Sequence, residues 1–265
     1  MGQQSKEALN SGLLKWKEMG DRVMDLFRLK TQPFGYKRLE MAEELDLIPN
    51  VRRLDHFYMF CQMLSGVRKY GLTMGAKNTD RMFSHCAQIN GLIAVPPDRD
   101  GSERLRWVRI PEDGRKRFKA FSRIPPGEAI VLAPLSTLTF DPDVIMIYGT
   151  PGQIMLMIES IQRVRFELFE FTCIGESSCA DSLAACYLTG KPKVGLPCYG
   201  ELRNGQADEC EIALALPPSY LEMIPEGWAE MRERGVTYPV TYIGWDLDTC
   251  SGLRKAYPDD PEFVK

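Results

Sequence analysis

Between residues 5 and 29 the apolar positions Leu13, Leu14, Trp16, Met19, Val23, Met24 and Phe27 recur mostly at spacings of three and four, the signature of one helical face. Residues 30 to 37, with Pro33, Gly35 and Tyr36, read as a break. A second helical stretch runs from about 55 to 70 and is stopped by Gly71; a third opens at Ser84 and closes near Gly91. The pattern then changes to apolar, β-branched runs. Residues 128–135, 144–148, 166–171, 194–199 and 211–216 are expected strands. Thr150-Pro151 starts a helix to about Gln162, and Ser178 caps another from Cys179 to about Leu188, closed by Gly190. Pro217-Pro218-Ser219 opens the last helix, with an interruption at Pro225 before Trp228.

The order helix–strand–strand–helix thus occurs twice, over about 84–162 and 178–232. The expectation is an α+β fold: one domain over 1–265, with a mainly antiparallel central sheet flanked by helices and built from this degenerate repeat. Residues 1–70 would be an N-terminal helical extension and 100–123 a basic insertion in the first copy. From Arg104 to Arg123 there are eight Lys or Arg residues against Glu112 and Asp113. That run reads as a solvated loop or hairpin, or as an anion-binding arm.

A formal net charge of -3 gives no global pull toward nucleic acid or acidic membrane, and no aromatic-plus-basic pattern marks a nucleic-acid face. The start, Met1-Gly2-Gln3-Gln4-Ser5-Lys6, lacks an apolar export region, and Lys6 breaks the myristoylation pattern. The longest apolar region, 129–148, is broken by Pro134 and Asp141-Pro142-Asp143. A cytoplasmic protein is therefore expected, with a small-molecule substrate, no nucleic-acid or membrane partner, and self-association left open.

Eight cysteines in such a chain are buried hydrophobes, reactive thiols or metal ligands rather than disulfides. Only His56 and His85 are available, so a metal would be held mainly by thiolates. There is no C-x2-C pair, which removes zinc ribbons, ferredoxin motifs and thioredoxin motifs. Cys86 and Cys179 fall at expected helix starts, where backbone N–H groups favour a thiolate. Cys198, between Pro197 and Gly200, is expected to end a strand before a turn, with Arg203 near enough to neutralise charge. Cys61 lies in an apolar helix and reads as core. Cys186 is expected to face the core, Cys173 to lie near Cys179, and Cys210 and Cys250 to be peripheral. Asp208, Glu209 and Glu211 read as solvated carboxylates.

Several of these segments also resemble a known family. Ala133-Pro134-Leu135, the run from Asp143 to Gly149, Gln153-Ile154-Met155, Cys61-Gln62, Cys86 with Gly91-Leu92, and Leu196-Pro197-Cys198 with Arg203 resemble domain of unknown function 169, common in archaea and anaerobic bacteria. The resemblance spans about 20 to 255. It implies no particular activity, but it places Cys61, Cys86 and Cys198 in recurring motifs. The family's last motif tends to run Pro-Cys-x-Gly-Asp-Arg; here Glu201-Leu202-Arg203 carries one residue more.

Thiolates scattered in sequence can meet in the fold around a cubane. The leading expectation is an iron–sulfur cluster, of the 4Fe-4S type, held by three or four of Cys61, Cys86, Cys179 and Cys198. It would act as a Lewis acid on a small organic acid, aromatic or thioester, with lyase or hydrolyase chemistry, and Arg203 or the basic arm would hold an anionic group. The alternatives are a cofactor-free enzyme with Cys179 or Cys198 as nucleophile and His85 as base, and a non-catalytic accessory subunit with buried cysteines.

Overall fold

The computed structural model describes residues 3–246, 252–254 and 257–261, with side chains from residue 14 onward; Cys250 and the Leu13 side chain lie outside them. The elements run in chain order: α1 (Gln3–Phe27), β1 (Phe34–Leu39), α2 (Ala42–Asp46), β2 (Val51–Arg52), α3 (Phe60–Tyr70), β3 (Thr73–Lys77), α4 (Ser84–Ile89), α5 (Pro111–Ala120), β4 (Ala129–Pro134), β5 (Val144–Gly149), α6 (Pro151–Val164), a π-helical turn (Ala180–Ala184) leading into α7 (Ala185–Thr189), β6 (Lys193–Gly195), α8 (Tyr199–Asn204), β7 (Ile212–Leu216) and α9 (Met223–Glu233). The strands form one sheet in the order β2-β3-β4-β1-β5-β7-β6. Every pairing is antiparallel except β2 with β3, so the chain is α+β with a mainly antiparallel sheet.

Both faces of the central strands are covered, which is why β4 and β5 read as continuous apolar runs. Successive residues point to opposite faces. Ala129, Val131, Ala133, Ile145, Ile147, Leu214 and Leu216 meet the long helices α1, α6 and α9. Ile130, Leu132, Val144, Met146, Tyr148, Ala213 and Ala215 face α3, α4 and the π-turn. This second face carries the site. α6 is capped as its sequence predicts: the Gln153 N–H donates to the Thr150 hydroxyl at 3.4 Å, and the Thr150 N–H donates to Gln153 Oε1 at 2.7 Å.

Several expectations are corrected. Residues 30–37 are no mere break, and 1–70 is no appended extension, because β1 sits inside the sheet between β4 and β5. Gly35, which reads as a turn signal, is required there by packing: a Cβ would meet Pro142 at 2.9 Å and Leu138 at 3.0 Å. The two proposed repeats are not topological copies, since β1 separates β4 from β5 whereas β6 pairs directly with β7. Residues 166–171 make only a single bridge, Phe171 to Val194, with Phe166 and Leu168 exposed. The basic segment is neither plain loop nor hairpin, because it contains α5. Pro225 does not interrupt α9; it lies in the first turn, where its missing N–H leaves no bond unmade.

The α6–α9 contact is close at Gly227, where a Cβ would lie 1.9 Å from the Ser160 carbonyl oxygen. Gly227→Ala is therefore expected to destabilise the fold by about 2–3 kcal/mol through overpacking. Urea denaturation checks this; unchanged stability would mean the helices can move apart freely. No helix among the described residues is long and apolar enough to cross a membrane.

Candidate functional site

Four short-range accidents of sequence meet in one place. Cys61 is the second residue of α3, Cys86 the third of α4, Cys179 immediately precedes the π-turn, and Cys198 is the N-cap residue of α8. All four line one cavity of about 580 Å³. All four are buried free thiols. Cys86 and Cys179 thus share the cavity with Cys61 and Cys198, which come from distant parts of the chain.

Their protonation states are unequal. Cys198 does not end a strand before a turn; β6 stops at Gly195, and Cys198 opens α8. There its sulfur accepts hydrogen bonds from the Cys61 thiol and from the Ser178 and Glu201 backbone N–H groups. These hold it down to about 5 against the opposing effect of burial. Cys61 is correspondingly pushed up, because its proton is engaged by Cys198 and it is buried near Glu201. Burial raises Cys86 to about 11 and lifts Cys179 well above the usual thiol range. The site is thus one thiolate facing three thiols.

Beneath it lies a polar network that the sequence reading missed. Glu201 is fully buried, and the hydroxyls of Tyr148 and Ser178 both donate to its carboxylate. Ser178 therefore does not cap its own helix with its side chain, as expected, but serves Glu201. Burial and the neighbouring Cys198 raise Glu201 to about 7. The Arg68 guanidinium lies 3.5 Å from the Tyr148 ring centroid and donates to Glu211 at 2.6 Å. Glu211 is consequently a buried partner and not a solvated carboxylate. Two signals were available. Arg68 lies four residues after Leu64 and seven after Cys61, on the same buried helix face. Glu201 follows Cys198 by three, the spacing of a capping-box acid.

The basic arm closes one side. Arg104 pairs with Glu176, as does Arg117 at 2.8 Å, which pins the arm against the loop leading to Cys179. Arg104 Nη1 lies 3.2 Å from His85 Nδ1. A guanidinium has no acceptor, so Nδ1 accepts and Nε2 carries the proton. Burial and the arginines around it lower His85 to about 3. His85 lines the cavity, but as a neutral donor; its expected role as a base for Cys179 or Cys198 is corrected because its lone pair is already taken. Arg203 reaches the cavity from the exposed side of α8. Cys186 is core, pushed up to about 12 by burial, and Cys173 and Cys210 are exposed.

Among the described residues, no group of three or more His, Cys, Asp or Glu side chains is arranged to hold a metal ion.

A relative in Methanocaldococcus jannaschii, described as an uncharacterized protein, is 26% identical over 224 residues, which cover 82% of this chain and 95% of the relative. No solved structure matches the chain. Residues 22–227 match the model of domain of unknown function 169, described as uncharacterised ArCR, a span that takes in all four cavity cysteines, and the chain belongs to that family.

Proposed function

We propose that this cavity holds an iron–sulfur cluster of the 4Fe-4S type, ligated by three or four of Cys61, Cys86, Cys179 and Cys198. The observation that carries the reading is the gathering of four thiols from four separate elements into one cavity. The donor set fits such a group. It is all sulfur, it has one sulfur already favoured as thiolate, and it lines a cavity with room for more than a single ion. Bound there, the cluster would supply Lewis-acid chemistry to a small organic acid, aromatic or thioester, as in a lyase or hydrolyase of anaerobic cytoplasmic metabolism. The chain's own contribution is to bury the thiols, to hold Cys198 deprotonated, and to present arginines to an anionic substrate. Anaerobic reconstitution followed by iron and sulfide analysis tests this; less than one cluster per chain, with no visible absorbance band, would sink it.

One observation favours a second reading, a cofactor-free enzyme with Cys198 as nucleophile: Cys198 lines the cavity as the N-cap residue of α8, where the Cys61 thiol and the Ser178 and Glu201 backbone N–H groups favour its thiolate. Iodoacetamide labelling of Cys198 in the metal-free chain should be half-maximal near pH 5 and flat above it, because protonation below that value removes the nucleophile. An ordinary thiol would continue to gain reactivity up to about 8.5. Mass spectrometry of the labelled peptide reads the profile, and an inflection at the ordinary value would remove this reading. Protection of Cys198 after iron–sulfide loading would favour the cluster over the nucleophile.

A further inference from the structure

We infer that the open side of this cavity binds a planar aryl carboxylate, its carboxylate on Arg106 and Arg203 and its ring against Trp107 and Tyr199. This names the substrate class of the site read above and rests on that cavity being the functional one. The charges decide where an anion goes. Arg104 and Arg117 are held by Glu176, and Arg99 by Glu103 at 3.1 Å. Arg106 and Arg203 also line the cavity, and neither has a carboxylate partner among the described residues. Arg106 Cζ lies 5.1 Å from the ring centroids of both Trp107 and Tyr199, and the two rings stand 5.8 Å apart at 62°. They form an aromatic corner beside an unneutralised guanidinium. Met59 and Phe83 extend the apolar wall.

A second observation points inward. His85 is 5% exposed, lines the same cavity, and its Nε2–H has no hydrogen-bond partner. A buried donor of this kind calls for an acceptor oxygen. An aryl acid bearing a ring oxygen supplies all three complements: carboxylate to arginine, ring to the aromatic corner, and oxygen to His85. A cavity of about 580 Å³ is of the size used for single small molecules.

Isothermal titration of the full cluster-free chain with benzoate, acetate and inorganic phosphate, repeated after iron–sulfide loading, tests the assignment. Benzoate should bind at least about tenfold more tightly than acetate, reflecting burial of the ring. Arg106→Gln and Arg203→Gln should each weaken benzoate by about tenfold without changing thermal stability. Equal binding of acetate and benzoate, displacement of benzoate by phosphate, or indifference to both arginine substitutions overturns it. Cluster loading without benzoate binding defeats this inference and leaves the cluster reading standing. Benzoate binding in a chain that takes up no iron does the reverse.

Discussion

Cys198→Ala is expected to abolish loading of the proposed cluster, with bound iron falling about tenfold or more after anaerobic reconstitution, while Cys186→Ala is expected to load as the parent does. That contrast is the largest effect expected of this protein, and it follows from placement. Cluster ligands must be deprotonated, and Cys198 is the cavity thiol already held as a thiolate. Its stabilisers are the Cys61 thiol, the Ser178 side chain and the backbone N–H groups of Ser178 and Glu201. Cys61, Cys86 and Cys179 must each release a proton against burial, and their alanine variants separate a three-ligand site from a four-ligand one. If three thiolates suffice, one of these variants retains iron with a changed visible spectrum. Cys186 is equally buried, but it packs in the core and does not line the cavity. Equal loading by all four cavity variants and Cys186→Ala would refute the assignment.

Arg68→Met is expected to cost about 3–5 kcal/mol, measured by denaturant unfolding at neutral pH. The Arg68 side chain is 1% exposed and that of Glu211 10%, so removing the cation strands a carboxylate in a medium that solvates it poorly. Arg68 is itself incompletely satisfied, with Nε and Nη1 lacking hydrogen-bond partners and the Tyr148 face lying against the guanidinium. The pair is thus a poor source of net stability, and its loss hurts through what is left behind. The double substitution Arg68→Met with Glu211→Leu should recover most of the loss. A single substitution as stable as the parent would show that Glu211 reaches water without Arg68.

The parts legible in sequence are those encoded by near neighbours. β4, β5 and β7 announce themselves as apolar runs, and Thr150 with Gln153 closes its capping box as written. The strand expected at 166–171 fails for a complementary reason: the residues suit a strand, but the short β6 offers only one bridge. β1 was missed because Pro33 and Gly35 mimic a turn, and the need for a side-chain-free position opposite Leu138 and Pro142 arises only once β1 is inside the sheet. His85 beside Cys86 looks like a base in the sequence; Arg104, nineteen residues on, occupies its lone pair.

By itself the sequence determined the fold class and the helix starts that carry Cys86 and Cys179, whereas it placed Cys61 inside a helix from about 55 that in fact begins at Phe60. Periodicity, caps and composition are local quantities, and a few residues suffice to express them. Only the tertiary structure decided that four thiols share one cavity, that Cys198 opens a helix, and that Arg68 and Glu201 are buried beneath it. Burial and protonation depend on partners such as Glu211, 143 residues from Arg68, and Tyr148, 53 residues from Glu201. Those partners become neighbours only when the sheet order places them side by side.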